Sequence, residues 1–125
     1  MKFESSIVFF PCADIEATDR FYSETVGLKK VQEQAGGVCR IFDTGRGYFG
    51  FSQSNSEISH SKPELCLSFN LTSEEEVDAM YAVMCERGCD IISAPQKLER
   101  FPVYSFFIRD INGYKLEFQY LYEKL

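Results

Sequence analysis

Glu117 stands out among the few side chains of this sequence that could do chemistry, because of what alternates with it. Tyr114, Leu116, Phe118 and Tyr120 interleave with Lys115, Glu117 and Gln119, the period-two pattern of a strand with two unlike faces. The polar face is either the solvated side of an antiparallel sheet or the lining of a cleft, and alternation does not choose between them. In a cleft, Glu117 could orient a cationic ligand, or act as a base if burial raised its pKa. Lys115 and Arg40 are candidate partners. Arg40 lies in a strand pattern with Phe42 on its face. An arginine lining a cleft would favour a carboxylate or phosphate ligand, although an exposed arginine is the commoner outcome.

The remaining reactive residues are less suggestive. The five cysteines are Cys12, Cys39, Cys66, Cys85 and Cys89, an odd count with no paired spacing, which argues against a disulfide framework. Cys85 and Cys89 lie four apart on a predicted helix and share a face. With no histidine nearby they read as packed thiols rather than a zinc site. Reduced and mostly buried cysteines are expected, and Cys66 has no histidine base in its own element. The single histidine, His60, falls in a polar stretch. No Ser-His-Asp order, phosphate-cradling glycine loop or zinc pair is present.

The elements that must position these groups form a weak internal repeat. Ser6 to Pro11 reads as a strand, followed by a helical stretch from Asp14, a good N-cap, to Gly27, where a helix would stop. Leu65 to Leu71 reads as a second such strand. Thr72-Ser73-Glu74-Glu75 is a capping-box pattern, and Val77, Met80, Tyr81 and Met84 follow at helical spacing up to Gly88. Phe21-Tyr22 matches Met80-Tyr81 with an offset of 59 (80 − 21). Further strands are predicted at Leu28–Gln32, Val38–Asp43 and Tyr48–Gln53, then at Asp90–Ser93, Val103–Arg109 and Tyr114–Tyr120. Gly47-Tyr48 and Gly113-Tyr114 match with an offset of 66 (113 − 47), which carries Gln53 onto Gln119. Asn112-Gly113 is a strong hairpin signal, since it accommodates positive φ at little cost. The expectation is an α+β chain of one domain, residues 1–125. Its two βαβββ modules span about 1–53 and 64–125, joined by a polar linker at about 54–63.

Composition narrows the function classes. With 45% apolar residues and 12 Phe, the chain can bury a core without staples. The formal charge of −6, with no basic run longer than Lys29-Lys30, argues against a nucleic-acid partner. Ile7-Val8-Phe9-Phe10 is too short to cross a membrane or to serve as a signal-peptide core, so a cytoplasmic address is expected.

Asp14-Ile-Glu-Ala-x-x-x-Phe-Tyr followed by Val26-Gly-Leu resembles the opening of the vicinal oxygen chelate superfamily, which includes glyoxalases, bleomycin-resistance proteins and extradiol dioxygenases. Asp110-Ile-Asn-Gly-Tyr-Lys-Leu-Glu117 is similar to its closing strand. The resemblance implies curved mixed sheets forming a cup-shaped cleft, with two ligands of a metal coming from each half. Carried over by the offsets, those positions are Ile7, Phe51, Cys66 and Glu117. Isoleucine and phenylalanine cannot coordinate, and one thiol with one carboxylate suits a hard divalent ion poorly. Glu64 is the one nearby residue that could add a ligand. No metal or other cofactor is therefore expected. The resemblance also places Ile7, Phe9, Phe49 and Phe51 on one side, with Arg40, Cys66 and Glu117, as an aromatic cup for a small-molecule ligand. Glu117 is its polar anchor and its only candidate catalytic group. It implies a homodimer as well. The reading is a metal-free small-molecule-binding protein. The alternative is a lyase, isomerase or dioxygenase of the same superfamily using a noncanonical metal site.

Overall fold

The computed structural model describes residues 2, 4–54 and 65–125. The chain divides into two compact units, Met1–His60 and Ser61–Leu125. In the first, β1 (Ile7–Cys12) leads into α1 (Ile15–Arg20), then β2 (Lys29–Gln34), β3 (Cys39–Asp43) and β4 (Tyr48–Gln53). In the second, β5 (Cys66–Asn70) leads into α2 (Glu74–Glu86), then β6 (Asp90–Lys97), β7 (Val103–Arg109) and β8 (Lys115–Leu121). Each unit is a four-stranded mixed sheet, ordered β1-β4-β3-β2 and β5-β8-β7-β6, with one parallel pair formed by its first and last strands. The linker assigned to about 54–63, with His60 and Glu64, lies almost wholly outside the described residues.

Local signals place the helices. The Asp14 carboxylate accepts from Ala17 N at 3.1 Å, capping α1. Beyond Arg20 the helix does not stay α-helical. Residues Phe21–Val26 form a π-helical segment, closed by an i→i+5 bond from Gly27 N to Tyr22 O at 3.0 Å, and Leu28 N also donates to Tyr22 O at 2.8 Å. Gly27, at φ 92°, then ends it in the left-handed conformation. The cap of α2 sits one residue later than the sequence pattern predicts. Ser73 accepts from Glu76 N at 3.1 Å, while the Glu76 carboxylate accepts from Thr72 N at 2.7 Å. This helix stops at Glu86, so Cys89 lies beyond it. There Cys89 N donates to Met84 O at 3.1 Å, and its sulfur lies 3.7 Å from the Met84 sulfur. Cys85 and Cys89 therefore share no helix face. Cys12 and Cys39 are buried, but Cys66 and Cys85 are exposed, contrary to the expectation of mostly buried thiols.

Of the predicted strands only β6 differs by more than two residues, running on to Lys97. It is an edge strand with two register shifts, which tolerates Pro95 in its path.

The helix-facing side of each sheet holds an aromatic core. In the first unit Tyr22 stacks on Phe51 at 4.4 Å, and Phe51 on Phe10 at 5.5 Å. In the second, Tyr81 meets Phe106 edge-on at 5.2 Å, and Phe118 stacks on Phe106 at 5.2 Å and on Phe69 at 5.4 Å. Each such pair adds about 1 kcal/mol beyond the area it buries.

Candidate functional site

Pairing register corrects the repeat. Phe9 pairs with Gly50 across β1 and β4, and Ser68 pairs with Glu117 across β5 and β8. The first strands keep the offset of 59 (68 − 9), but the last strands differ by 67 (117 − 50), not 66. The cause is the last turn. Four residues separate Asp43 from its partner Tyr48, and five separate Arg109 from Lys115. The counterpart of Glu117 is therefore Gly50, not Phe51. The two glutamines agree with this register. Gln53 turns to the helix side, where its amide donates to Ala13 O and accepts from Ile15 N, whereas Gln119 turns away and donates to Asn70 at 2.8 Å.

In the second unit, the turn before β8 is built by Asp110. Its carboxylate accepts from Asn112 N at 2.8 Å and Tyr114 N at 2.7 Å, with Gly113 at φ 88°. The turn sets the register of β8, so Glu117 pairs with Ser68 on one side and Phe107 on the other, on the face away from α2. Glu117 is only 8% exposed, so it does not sit on a solvated face. Ser68 Oγ donates to Glu117 Oε1 at 2.7 Å, and Cys66 Sγ lies 3.7 Å from Ser68 Oγ. No described residue donates to Glu117 Oε2. Lys115 Nζ sits 4.4 Å from the centroid of the Phe107 ring, not on the carboxylate. Burial of the sulfur pushes the Cys66 thiol up, and the Glu117 carboxylate pushes it the same way, although the residue as a whole is exposed. That environment holds the thiol protonated and disfavours a nucleophilic thiolate.

Sequence reasoning missed Ser68 as a member of this face. Period-two spacing from Cys66, or the offset of 59 from Phe9, would have found it.

The corresponding face of the first unit carries no charge at these positions. Ile7, Phe9 and Gly50 lie on the side away from α1. The Phe9 ring lies where a side chain at Gly50 would begin, since a Cβ there would fall 2.5 Å from its Cδ1 and Cε1. Phe49, Phe51 and Arg40 do not join Ile7 and Phe9 as expected. They point to the helix side, because each is one residue out of phase with Gly50 or with its cross-strand partner Ile41. Phe51 is fully buried against Tyr22. Arg40 NH1 donates to Asp19 at 2.6 Å and NH2 to Glu16 at 2.5 Å, and Nε donates to Gly37 O at 2.9 Å. Lys30 donates to Asp19 at 2.9 Å. The Arg40 guanidinium is thus committed to its own unit, which leaves it no edge for an anionic ligand.

A metal does not fit the corrected quartet of Ile7, Gly50, Cys66 and Glu117. Two of the four bear no donor atom, and one oxygen of Glu117 is taken by Ser68. Among the described residues no group of three or more His, Cys, Asp or Glu side chains could hold an ion.

Known proteins agree on the fold. The family model described as the glyoxalase/bleomycin resistance protein/dioxygenase superfamily matches residues 6–118. A family enzyme from Burkholderia phytofirmans PsJN superposes with a TM-score of 0.78 at 22% identity, covering 92% of this chain and 96% of its own. A hypothetical protein from S. aureus gives 0.77 at 18% identity, covering 96% and 95%. A lactoylglutathione lyase from Agrobacterium tumefaciens gives 0.74 at 19% identity, covering 95% and 94%. No functionally curated protein matches the chain in sequence. With the paired βαβββ units and the match across nearly all of both, the chain belongs to the glyoxalase/bleomycin resistance protein/dioxygenase superfamily.

Proposed function

We propose that this protein is a metal-free small-molecule-binding member of its superfamily, with the helix-free face of the second sheet as the ligand seat and Glu117 as its polar anchor. One observation carries the reading. Glu117 is a buried carboxylate with Oε1 fixed by Ser68 and Oε2 unbonded among the described residues. An oxygen left open beside a fixed one, on a residue screened from most of the solvent, is a ready acceptor for a ligand donor. Phe107 supplies apolar surface beside it.

The test is a Glu117→Gln variant followed by thermal shift against a small-molecule set. Ligands that bind the folded state raise its melting temperature. The variant should lose that rise while its own melting temperature stays within a few degrees of wild type. A large stability loss with an unaltered ligand response would make Glu117 structural. Metal analysis of protein purified without chelator should find no stoichiometric Mn, Fe, Ni or Zn.

The same unbonded oxygen supports a second reading, a metal-free isomerase in which Glu117 takes a proton from a bound substrate. Turnover of an isomerisable substrate, abolished by Glu117→Gln, would select it over simple binding.

A further inference from the structure

Three carboxylates are buried among the described residues, and they are balanced in different ways: Asp110, 6% exposed, accepts from the backbone amides of Asn112 and Tyr114. Asp19 and Glu117 are each 8% exposed. Asp19 has two cations on it, Arg40 at 2.6 Å and Lys30 at 2.9 Å. Glu117 has none among the described residues; its one partner is the neutral hydroxyl of Ser68. Glu117 thus keeps one carboxylate oxygen open to a donor, with no cation within ion-pair distance among the described residues.

Two neighbours on the same face of β7 and β8 indicate what would supply it. Lys115, two residues from Glu117 along the strand, lays its ammonium on the Phe107 ring, so that ring face already receives a cation. Ser105, two residues from Phe107 on the same side of β7, is fully buried, and its hydroxyl has no hydrogen-bond partner among the described residues. The face thus combines a carboxylate with an open oxygen and a cation-accepting ring, both within the second unit. An anionic ligand would meet only repulsion at Glu117.

Resting on the ligand seat proposed above, we propose that its ligands are organic cations bearing N–H donors, of the amidinium, guanidinium or primary ammonium class. The charged head pairs with Glu117 Oε2, and the body lies against Phe107 in place of the Lys115 ammonium. Lys115 is then a competitor that the ligand displaces, not a contact that it needs.

A matched trio of probes tests this: benzamidine, neutral benzamide and anionic benzoate, titrated into the full chain and followed by NMR at Ser68, Ser105, Phe107 and Glu117. Benzamidine should shift these resonances saturably, benzamide at least tenfold more weakly, and benzoate not at all. Lys115→Met should tighten benzamidine binding severalfold, and Glu117→Gln should weaken it at least tenfold. Benzamide or benzoate binding as well as benzamidine overturns the cation assignment while leaving a ligand seat. Silence from all three overturns it too. The broader reading falls separately if a neutral fragment set also leaves these resonances unmoved. Should Glu117→Gln fail to fold, the three-probe comparison on the unaltered protein decides alone.

Discussion

The two units share a topology and distribute charge in opposite ways. In the first, the charges lie between helix and sheet, where Arg40 joins Glu16 and Asp19, while Ile7, Phe9 and Gly50 occupy the other face. In the second, the helix–sheet seam is aromatic, and Ser68, Lys115, Glu117 and Gln119 lie opposite. Two substitutions account for most of the inversion. Arg40 pairs with Phe51 where Phe106 pairs with Phe118, and Gly50 stands where Glu117 stands. The lesson is that backbone topology sets which positions face the site, and side-chain choice sets whether a site exists there.

The comparison breaks first at the aromatic seam. Phe106→Ala should cost about 4 kcal/mol in urea unfolding, since the ring is fully buried between Tyr81 and Phe118. A loss below about 1 kcal/mol would show that the seam collapses around the gap and that these rings do not support the unit. Arg40→Leu should cost about 2 kcal/mol, between the values for exposed and buried pairs. The intermediate figure reflects side chains of unequal burial, with Asp19 12% and Glu16 65% exposed.

The charged seam also makes a pH prediction. Hydrogen bonding to Arg40, and then its charge, hold Glu16 below its ordinary value of 4.5. For Asp19, burial pulls the pKa up, but hydrogen bonds from Arg40, Lys30 and Ser23 outweigh it and leave it below 3.8. Carboxyls depressed in the folded state stabilise it above their unfolded pKa values, and that stabilisation is lost as pH falls through the folded ones. Wild type should therefore lose stability below about pH 4.5 more steeply than Arg40→Leu, compared by urea midpoints between pH 7 and pH 3. Parallel curves would remove the seam from the account.

The smallest effect concerns the emptied position. Gly50→Ala should cost about 1 kcal/mol, because the new Cβ displaces the Phe9 ring rather than backbone, and that ring is 52% exposed. In a double-mutant cycle, Phe9→Ala should recover most of the loss. No recovery would mean that the strand itself, not the ring, resists a side chain at Gly50.

Much of the architecture was legible in the sequence. The cap at Asp14, the stops at Gly27 and Gly88, and the Asp110 turn depend on residues a few positions away, so local pattern finds them, and it misplaces the Ser73 cap by only one residue. The period-two alternation around Glu117 correctly separated its face from that of Phe118. The π-helical end of the first helix was not legible, because it depends on i→i+5 backbone bonds such as Gly27 N to Tyr22 O rather than on any residue type.

The candidate site was half legible, and the reason lies in register. The sequence determined by itself that the chain is a repeat of two βαβββ units and that Glu117 survives on a polar face. Only the tertiary structure decided that Gly50, not Phe51, is its counterpart, that Arg40 turns to Asp19 and Glu16, and that Ser68 holds the carboxylate. A turn longer by one residue moves every side chain of the following strand to the opposite face, and strand pairing over long sequence separation reveals the shift.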